Sequence, residues 1–419
     1  MKILWIVNII FPYPTEKLGY KKNVFGGWLH GLSNSLMQLE NIDLAIATTY
    51  NGKELLEYKE KNIIYYLLPC KNNLKYDVNL EKYWKIINDK FKPDLTHIHG
   101  TEYAHGLAFQ NACPNIKTVT SIQGLISMCA NNYISGIKHK DIIKNITLKD
   151  IIKKNIYQEQ EAFFKRGKIE LEILKKSTAI IGRTEWDYAS SVGLINEDKY
   201  YKCNETLRNI FYNKIWDMNK IEKNSIFISQ AAYPIKGFHV MIEALNIIKN
   251  KYKDIIVYVA GENILDNSSL KKKLKLSGYA KYLLTLIKKY NLENNIVFLG
   301  LLNGEEMCDR LLKSNIYIQT SSIENSSNSL GEAMLLGMPC IASNVGGTSS
   351  MLKDKEEGIL YPFGDYCLLA HYIEQILENK ELTLKLSENA RNKAKITHNK
   401  EKNVNTIIRI YNEIIEKRK

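Results

Sequence analysis

Two glutamates and a run of small polar residues form a short stretch that could bind a phosphorylated ligand. Residues 320–339 read Thr-Ser-Ser-Ile-Glu-Asn-Ser-Ser-Asn-Ser-Leu-Gly-Glu-Ala-Met-Leu-Leu-Gly-Met-Pro, and they contain Glu324 and Glu332. The pattern predicts that a strand ends at Gln319 and that a helix begins near Ser329. The free N–H groups and partial positive charge of a helix start suit a diphosphate, and the Ser and Asn side chains add donors.

Each glutamate also has an explanation that needs no ligand. The spacing Ser329-x-x-Glu332 fits a capping box, in which the glutamate only satisfies the backbone at the helix start. Glu324 alone fits an exposed turn residue. Their spacing, followed by Gly-Met-Pro at 337–339, makes the pair more informative than either residue by itself.

A lysine could supply the cation that such a site needs. Lys236 lies in the sequence Tyr-Pro-Ile-Lys-Gly at 233–237, directly after a predicted strand. The proline and the glycine indicate a turn that would fix the lysine in place. A positioned cation stabilises negative charge that grows on a leaving phosphate. The alternative is a plain surface lysine.

These motifs together resemble those of a known family, the retaining, nucleotide-sugar-dependent glycosyltransferases of family 4, or "group 1". Glu324 and Glu332 resemble its paired glutamates. The other matches are Glu-Ala-Met-x-x-Gly-x-Pro at 332–339, Asn-Val-Gly-Gly at 344–347, Tyr-Pro-Ile-Lys-Gly at 233–237 and Gly26-Gly27. They follow the family's order from residue 26 to about residue 362, which is most of the chain.

The resemblance implies a GT-B fold, in which two Rossmann-like domains face each other across a crevice and the second holds most of the nucleotide-sugar. It implies that Glu332 accepts hydrogen bonds from the ribose and that Glu324 holds donor-sugar hydroxyls near the reacting carbon. The backbone N–H groups of Ser327, Asn328 and Ser329 would contact phosphate or sugar oxygens.

The resemblance also implies how the diphosphate is held. Gly26 and Gly27 would let the backbone of the first domain approach it, because a side chain would block that approach. Lys236 would stabilise the charge on the β-phosphate as the glycosidic bond breaks. Retention would proceed without a side-chain nucleophile, and the diphosphate itself would take the acceptor's proton.

The chain departs from the family pattern at a cation. Many relatives carry an arginine five residues before the lysine, where this chain has Ala231. Arg183 and Arg208 each follow a predicted strand and are candidates to replace that cation. The alternative for both is an ordinary salt bridge with a nearby carboxylate, which would be Glu185, Asp187 or Glu205.

A second departure concerns a histidine that relatives often place near the donor sugar. Here the position is Gln123, which can hydrogen-bond a hydroxyl but cannot carry a proton at neutral pH. His97 and His99 end the preceding predicted strand. His99 is the better substitute because strand ends face the crevice, and a core histidine with satisfied hydrogen bonds is the alternative for either.

The elements that would position these residues alternate between short apolar runs and amphipathic stretches, the pattern of doubly wound α/β domains. The predicted strands are 3–9, 44–48, 63–67, 95–99, 119–122, 179–181, 226–229, 255–260, 296–299, 316–319 and 339–342. The main predicted helices are 28–39, 158–175, 237–249, 279–290, 305–312 and 329–336. We predict an N-terminal Rossmann-like acceptor-side domain at 1–204, a nucleotide-sugar-binding one at 205–398, and a closing helix at 399–419 that packs back on the first domain.

The charge predicts an anionic partner. The 419 residues carry a formal charge of +13, and the windows 135–176 and 266–293 are each net +5. We expect peripheral contact with an anionic membrane through 135–176, the alternative being a solvated helix face. The seven cysteines are scattered and no apolar run has the length of a membrane span, which favours a cytoplasmic protein at the inner face of the membrane.

Some classes are disfavoured by missing motifs. The sequence has no Asp-x-Asp that would hold a metal, so we expect no metal and no cofactor, with the nucleotide-sugar as a substrate. No nucleic-acid recognition motif accompanies the positive charge, which disfavours nucleic acid as a partner. No Gly-x-Gly-x-x-Gly follows the first strand, which disfavours a nicotinamide dehydrogenase.

The sequence therefore predicts a retaining glycosyltransferase that moves a sugar to a glycan or lipid-linked acceptor in bacterial surface polysaccharide synthesis. One alternative is a nucleotide-sugar epimerase or phosphorylase on the same fold. The other is a catalytically degenerate nucleotide-binding scaffold subunit, which Ala231 and Gln123 motivate.

Overall fold

A computed structural model of the chain describes residues 1–21, 26–39 and 41–417. The chain forms two compact units that interleave along the sequence. The first contains Met1–Ser127, Phe163–Leu207 and His398–Lys419, and the second contains Met128–Ala162 and Arg208–Thr397. Arg418 and Lys419, at the end of the predicted closing helix, lie outside the described residues.

The first unit is built on an eight-stranded sheet with the order β3-β4-β2-β1-β5-β6-β7-β8. Its strands are β1 (Lys2–Ile6), β2 (Asp43–Tyr50), β3 (Leu56–Glu60), β4 (Ile63–Pro69), β5 (Leu95–His99), β6 (Thr118–Ser121), β7 (Ala179–Gly182) and β8 (Tyr200–Lys202). Neighbouring strands are parallel except for the antiparallel pair β3 and β4.

The second unit has a six-stranded, fully parallel sheet with the order β11-β10-β9-β12-β13-β14. Its strands are β9 (Ser225–Ile228), β10 (Ile256–Ala260), β11 (Ile296–Gly300), β12 (Ile316–Gln319), β13 (Cys340–Ser343) and β14 (Ile359–Tyr361). This is the 3-2-1-4-5-6 order of a Rossmann domain.

Helices cover both sheets. In chain order they are α1 (Pro12–Lys17), α2 (Gly27–Leu36), α3 (Asn79–Phe91), α4 (His105–Ala112), α5 (Ile126–Asn131), α6 (His139–Lys144), α7 (Leu148–Ile152), α8 (Ile156–Lys176), α9 (Glu185–Ile195), α10 (Ile210–Asn213), α11 (Phe238–Ile248), α12 (Leu270–Lys273), α13 (Gly278–Lys289), α14 (Gly304–Leu312), α15 (Asn328–Leu336), α16 (Thr348–Met351), α17 (Tyr366–Glu378), α18 (Lys380–Thr397) and α19 (Lys400–Glu416).

The central strand β1 shows why the first sheet needs helices on both faces. Side chains alternate between the faces of a strand, so Ile3 and Trp5 enter one core while Leu4 and Ile6 enter the other. The core that holds Trp5 also contains Val404, Ile407, Ile410, Tyr411 and Ile414 from α19. The closing helix therefore packs within the first unit.

The structure has a strand or helix at each predicted element, with small differences at the ends. It adds three strands that the sequence did not indicate, β3, β8 and β14. All three lie at an edge of the sheet or next to one, and they are short. Edge strands are often short and partly exposed, so β3 reads as charged and mixed rather than apolar.

The units differ from the predicted domain boundaries. The chain passes from one unit to the other at Leu207 and Arg208 rather than at 204, and residues 128–162 belong to the second unit although they precede that point. The reason is local packing, because Ile137 enters the core of the second unit and Asp150 accepts the N–H of Gly278 at 3.0 Å.

Candidate functional site

The order of strands in the second sheet brings the predicted site residues together. The strand order of this parallel sheet reverses between the neighbours β9 and β12, because β10 and β11 lie on one side of β9 and β12 to β14 lie on the other. In open α/β sheets, ligands bind beyond the carboxyl ends of the strands at this point. Lys236 follows β9 and Glu324 follows β12, so the topology places them beside each other.

Lys236 and Glu324 form an ion pair. The Lys236 Nζ atom lies 2.5 Å from Oε1 of Glu324, and the hydroxyl of Ser321 donates to the same oxygen at 2.7 Å. The two charged side chains keep 28% and 15% of their surface exposed. The pair is therefore partly accessible, and a ligand could exchange with either partner.

Two glycines fix the backbone around this pair. Gly237 has a φ of +64°, and a Cβ there would lie 1.9 Å from the carbonyl oxygen of Thr320. Gly346 has a φ of +52°, and a Cβ there would lie 2.0 Å from the carbonyl oxygen of Glu324. Only a residue without a side chain permits both the positive φ and these close approaches.

The helix α15 begins beside Glu324. Ser327 is its N-cap, and its hydroxyl accepts the N–H of Leu330 at 3.3 Å. The N–H of Ser327 itself donates to Sδ of Met351 at 3.1 Å. The N–H groups of Asn328 and Ser329 belong to the first helical turn, where no intrahelical acceptor exists, so they are suited to an anion.

Glu332 has a different partner from the capping box that the sequence suggested. That alternative is wrong, because Ser327 and not Ser329 caps the helix and Glu332 lies beyond the first turn. Both carboxylate oxygens of Glu332 instead accept from Nε and Nη2 of Arg208, each at 2.6 Å. The side chain of Glu332 is 4% exposed.

This bidentate pair sets the charge of Glu332. Burial raises the pKa of Glu332, and the hydrogen bonds and charge of Arg208 oppose that shift. The guanidinium of Arg208 also stacks on Phe211, with 4.9 Å between its carbon and the ring centre. Arg208 therefore forms a salt bridge with Glu332, and not with the neighbouring Glu205 that the sequence suggested.

The position of the missing arginine is closed to a cation. Ala231 is 1% exposed and belongs to the apolar core of the second unit. Arg208 is tied by two hydrogen bonds to a carboxylate that is 4% exposed, whereas Lys236 lies just after β9 against a carboxylate that is 15% exposed.

Gly26 and Gly27 open a helix in the first unit. Gly26 is the N-cap of α2 with a φ of +77°, and Gly27 is the first residue of that helix. A Cβ on Gly26 would lie 2.0 Å from Cδ1 of Ile9. The structure thus supplies a helix start at these glycines, with Gly26 lying against the Ile9 side chain, and their contact with a diphosphate stays a prediction.

His99 lies at the carboxyl end of β5 in the first unit. It is 2% exposed and stacks on His97, with 3.7 Å between ring centres. Burial and the neighbouring His97 lower the pKa of His99 well below its usual value, so the ring is neutral at pH 7. Neither ring nitrogen has a hydrogen-bond partner among the described residues.

His97 fits the core alternative that the sequence analysis considered for both histidines. Its Nδ1 lies 2.6 Å from the hydroxyl of Tyr411, and its Nε2 lies 2.6 Å from the hydroxyl of Ser121. His99 is equally buried, but its ring nitrogens have no hydrogen-bond partner among the described residues. A catalytic role for His99 stays a prediction.

Arg183 and Gln123 meet at one carboxylate of the first unit. Nη1 of Arg183 lies 2.5 Å from Oε2 of Glu205, and the amide of Gln123 donates to Oε1 of Glu205 at 2.8 Å. Nη2 of Arg183 donates to the carbonyls of Ile122 and Gln123. Of the two alternatives for Arg183, the structure shows the salt bridge.

Glu102 is a carboxylate at the switch point of the first sheet, between β1 and β5, that the sequence motifs did not indicate. Glu102 follows β5 and accepts a hydrogen bond at 2.7 Å from the amide of Asn8, which follows β1. Burial and the charge of Glu170 raise the pKa of Glu102 to about 7, although Arg166 opposes this. The sequence could have indicated this pair, because Asn8 and Glu102 are polar residues that each follow a strand closely.

Within residues 1–21, 26–39 and 41–417, no group of three or more His, Cys, Asp or Glu side chains is arranged to hold a metal ion. None of the helices in that part of the chain combines the length and apolar character needed to cross a membrane.

The second unit matches a known family. Residues 213–393 match the model of the family described as "Glycosyl transferases group 1". This range contains Lys236, Glu324, Glu332 and the start of α15.

Two curated relatives align with part of the chain. It is 29% identical over 133 residues to N-acetyl-alpha-D-glucosaminyl L-malate synthase of Bacillus anthracis, over 32% of this chain and 34% of that protein. It is 27% identical over 125 residues to UDP-Gal:alpha-D-GlcNAc-diphosphoundecaprenol alpha-1,3-galactosyltransferase of Escherichia coli, over 30% and 32%. The alignments span about a third of the length of these relatives.

A solved structure resembles the whole chain. Sucrose-phosphate synthase from Thermosynechococcus elongatus has a TM-score of 0.73 at 15% sequence identity, over 99% of this chain and 98% of that one. The family match confirms the predicted resemblance to group 1 glycosyltransferases, and the structural match confirms the α/β fold of GT-B type. The assignment to family 4 stays a prediction.

The turn at Gly237 gives a testable prediction. We expect Gly237→Ala to lower the free energy of unfolding by more than Gly364→Ala does, because both have positive φ but only Gly237 also faces a backbone carbonyl. Positive φ alone costs about 1 kcal/mol for a residue with a Cβ, which is the loss expected at Gly364. Urea denaturation measures both variants, and equal losses would contradict the assigned contact with Thr320.

Proposed function

We propose that this chain, whose residues 213–393 match the group 1 glycosyltransferases, moves a sugar from a nucleotide-diphosphate-sugar to a glycan or lipid-linked acceptor. The observation that carries the proposal is the Lys236–Glu324 pair at the switch point of the second sheet, inside the matched region. The name of the Escherichia coli relative, which includes a nucleotide-sugar and a lipid-linked sugar, supports both substrate classes.

We assign the diphosphate to the start of α15 and to Lys236. The N–H groups of Asn328 and Ser329 and the positive end of the helix dipole attract phosphate oxygens. Lys236 supplies a full charge next to them. Glu332 would accept hydrogen bonds from the ribose, since Arg208 fixes its carboxylate through two hydrogen bonds and opposes the rise in its pKa.

Donor binding would exchange the partners of Lys236. In the structure Lys236 is neutralised by Glu324. An arriving diphosphate carries at least two negative charges and competes with one carboxylate for the lysine. Glu324, once released, can accept hydrogen bonds from the donor sugar, so the same exchange prepares both ends of the donor.

Chemistry at this site would proceed with retention and without a metal. Lys236 and the helix start stabilise the charge that grows on the leaving diphosphate, which is the task that a metal performs in other enzymes. The leaving phosphate would take the acceptor's proton. We expect activity to survive dialysis against EDTA, and we expect NMR to show a product with the donor's anomeric configuration. Loss of activity restored by a divalent ion, or an inverted product, would contradict this.

We also propose contact with an anionic membrane through the basic stretch 135–176. The part from 137 to 156 presents Leu148, Ile151 and Ile152, which are 57%, 73% and 79% exposed, beside several lysines. Exposed apolar side chains flanked by lysines favour a membrane surface. Sedimentation with anionic vesicles tests this, and binding should weaken as salt rises. A cytoplasmic location stays a prediction.

The assigned roles of Lys236 and Glu324 can be tested directly. We expect Lys236→Ala to slow sugar transfer or donor hydrolysis by about 10²–10³-fold, since it removes a preorganised charge at the leaving group. Glu324→Ala should reduce the rate as well. A panel of nucleotide-sugars, beginning with UDP-sugars, identifies the donor by thermal shift and slow hydrolysis.

Lys223→Ala is a matched control, because Lys223 is exposed and precedes β9 at the opposite end of the strand. Unchanged hydrolysis in both site variants would reject the site. Nucleotide binding without turnover in the wild type would favour the scaffold alternative, and an isomerised donor would favour an epimerase.

The Arg208–Glu332 pair predicts a pH dependence. Arg208→Gln removes the group that opposes the raised pKa of Glu332, so more of the carboxyl is protonated as the pH falls from 8 to 6. A protonated carboxyl accepts ribose hydrogen bonds poorly. We therefore expect the Kd for UDP to rise more steeply with falling pH in this variant than in the wild type, by calorimetry.

Glu332→Gln is the control for this pH dependence. It should weaken UDP binding about tenfold, because it removes a charge-assisted hydrogen bond, without adding a pH dependence of its own. Parallel pH profiles for the wild type and Arg208→Gln would show that Arg208 does not set the charge of Glu332.

A further inference from the structure

A cavity of about 220 Å³ lies within the second unit, and its wall includes Tyr233 and Pro234, which directly precede Lys236 in the chain. Its wall is largely apolar. It is formed on one side by the segment 128–162, and its apolar lining includes Tyr133, Ile137, Ile142, Ile146, Ile156 and Tyr282.

Hydrogen bonds hold this segment in place. The hydroxyl of Thr147 donates to the carbonyl of Leu276 at 2.8 Å, and Asp150 accepts the N–H of Gly278 at 3.0 Å. Asp150 also accepts the N–H of Thr147 at 2.9 Å. The carboxylate of Asp150 is therefore used within the fold, although it lines the cavity.

Lysines flank the cavity. Lys149 and Lys154 line it, and neither forms an ion pair with another residue in the described part of the chain. Asp150 and Glu159 each add one negative charge to the lining, so the net positive charge comes from the wider stretch around the cavity. The stretch 137–156 as a whole carries more lysines than acids, so the surroundings of the apolar wall favour an anion.

The cavity adjoins the segment that holds Lys236. Tyr233 and Pro234 form part of its wall, and Pro234 begins the short helical turn Pro234–Lys236. On the other side, the hydroxyl of Ser322 contacts the hydroxyl of Ser135 at 2.8 Å and donates to the carbonyl of Asn132 at 3.1 Å. Ser322 lies two residues before Glu324, so the cavity segment contacts both turns of the site.

We propose that this cavity binds the apolar chain of an acceptor lipid whose head group is a phosphate, with Lys149 and Lys154 near that head group. The inference rests on the proposed function, and it selects a lipid-linked acceptor over a free glycan. The apolar wall of the cavity would contact the hydrocarbon chain of the lipid, and Lys149 and Lys154 would contact its phosphate. Pro234 lines the cavity and belongs to the same short turn as Lys236, so a lipid held here would lie beside the proposed donor site.

Alkyl phosphates test the site without a membrane. Butyl, octyl and dodecyl phosphate are titrated below their micelle-forming concentrations, and calorimetry measures binding to the full chain. Each added methylene buried in the cavity should tighten binding about fourfold until the cavity is full. Equal affinity for butyl and dodecyl phosphate would overturn the apolar site. Equal affinity for dodecyl phosphate and a neutral dodecyl glycoside would overturn the phosphate head group.

A matched pair of variants locates the site. Ile146 lines the cavity and is 40% exposed, so Ile146→Trp places a larger side chain against its wall, whereas Ile143, which is 52% exposed and three residues away, does not line it. We expect Ile146→Trp to weaken dodecyl phosphate binding at least tenfold and Ile143→Trp to leave it unchanged. Equal effects of the two variants would overturn the location.

A nucleotide measurement separates this inference from the proposed function. Thermal shift by UDP and slow hydrolysis of the donor should be the same in Ile146→Trp as in the wild type, because the cavity does not hold the donor. If the wild type neither binds nor hydrolyses any nucleotide-sugar, the proposed function fails. If it does both but shows no dependence on alkyl chain length, the cavity proposal alone fails.

Discussion

Two carboxylates of the second unit are each held by one cation, and the two ion pairs differ in how easily they can open. Lys236 and Glu324 are partly exposed, so water can replace either partner at small cost. Arg208 and the buried Glu332 are joined by two hydrogen bonds, and removing one partner of a buried pair costs about 3–5 kcal/mol. The Lys236–Glu324 pair is therefore suited to opening when a ligand binds. The Arg208–Glu332 pair is suited to holding the Glu332 carboxylate in one position as a hydrogen-bond acceptor.

Sheet topology explains why these pairs lie where they do. Because β9 and β12 are neighbours at the reversal of strand order, the segments that follow them must meet. Gly237 and Gly346 then bring backbone carbonyls close enough to fix the position of each turn. The topology and these two turns together place a lysine, a glutamate and a helix start beside one another.

The sequence predicted most of this arrangement because strands with apolar runs and the order of the motifs are local features. Lys236, Glu324 and the start of α15 were found from residue type and spacing. The partner of Glu332 was not, since Arg208 is 124 residues away and the capping pattern at Ser329 was a plausible local competitor. The salt bridge of Arg183 was among the alternatives, with Glu205 as one of three nearby carboxylates, and the structure shows that Glu205 is the partner. The placement of residues 128–162 in the second unit depends on packing that no periodicity reveals.

The interleaved path of the chain has a consequence for synthesis on the ribosome. The core of the first unit includes Ile407, Ile410 and Tyr411, and Tyr411 also hydrogen-bonds Trp5 on the central strand. The second unit, in contrast, needs nothing after Thr397. The unit that is begun first is therefore the one completed last. The face of its sheet that α19 covers therefore stays partly uncovered while roughly two hundred residues, from the end of β8 to the start of α19, are synthesised.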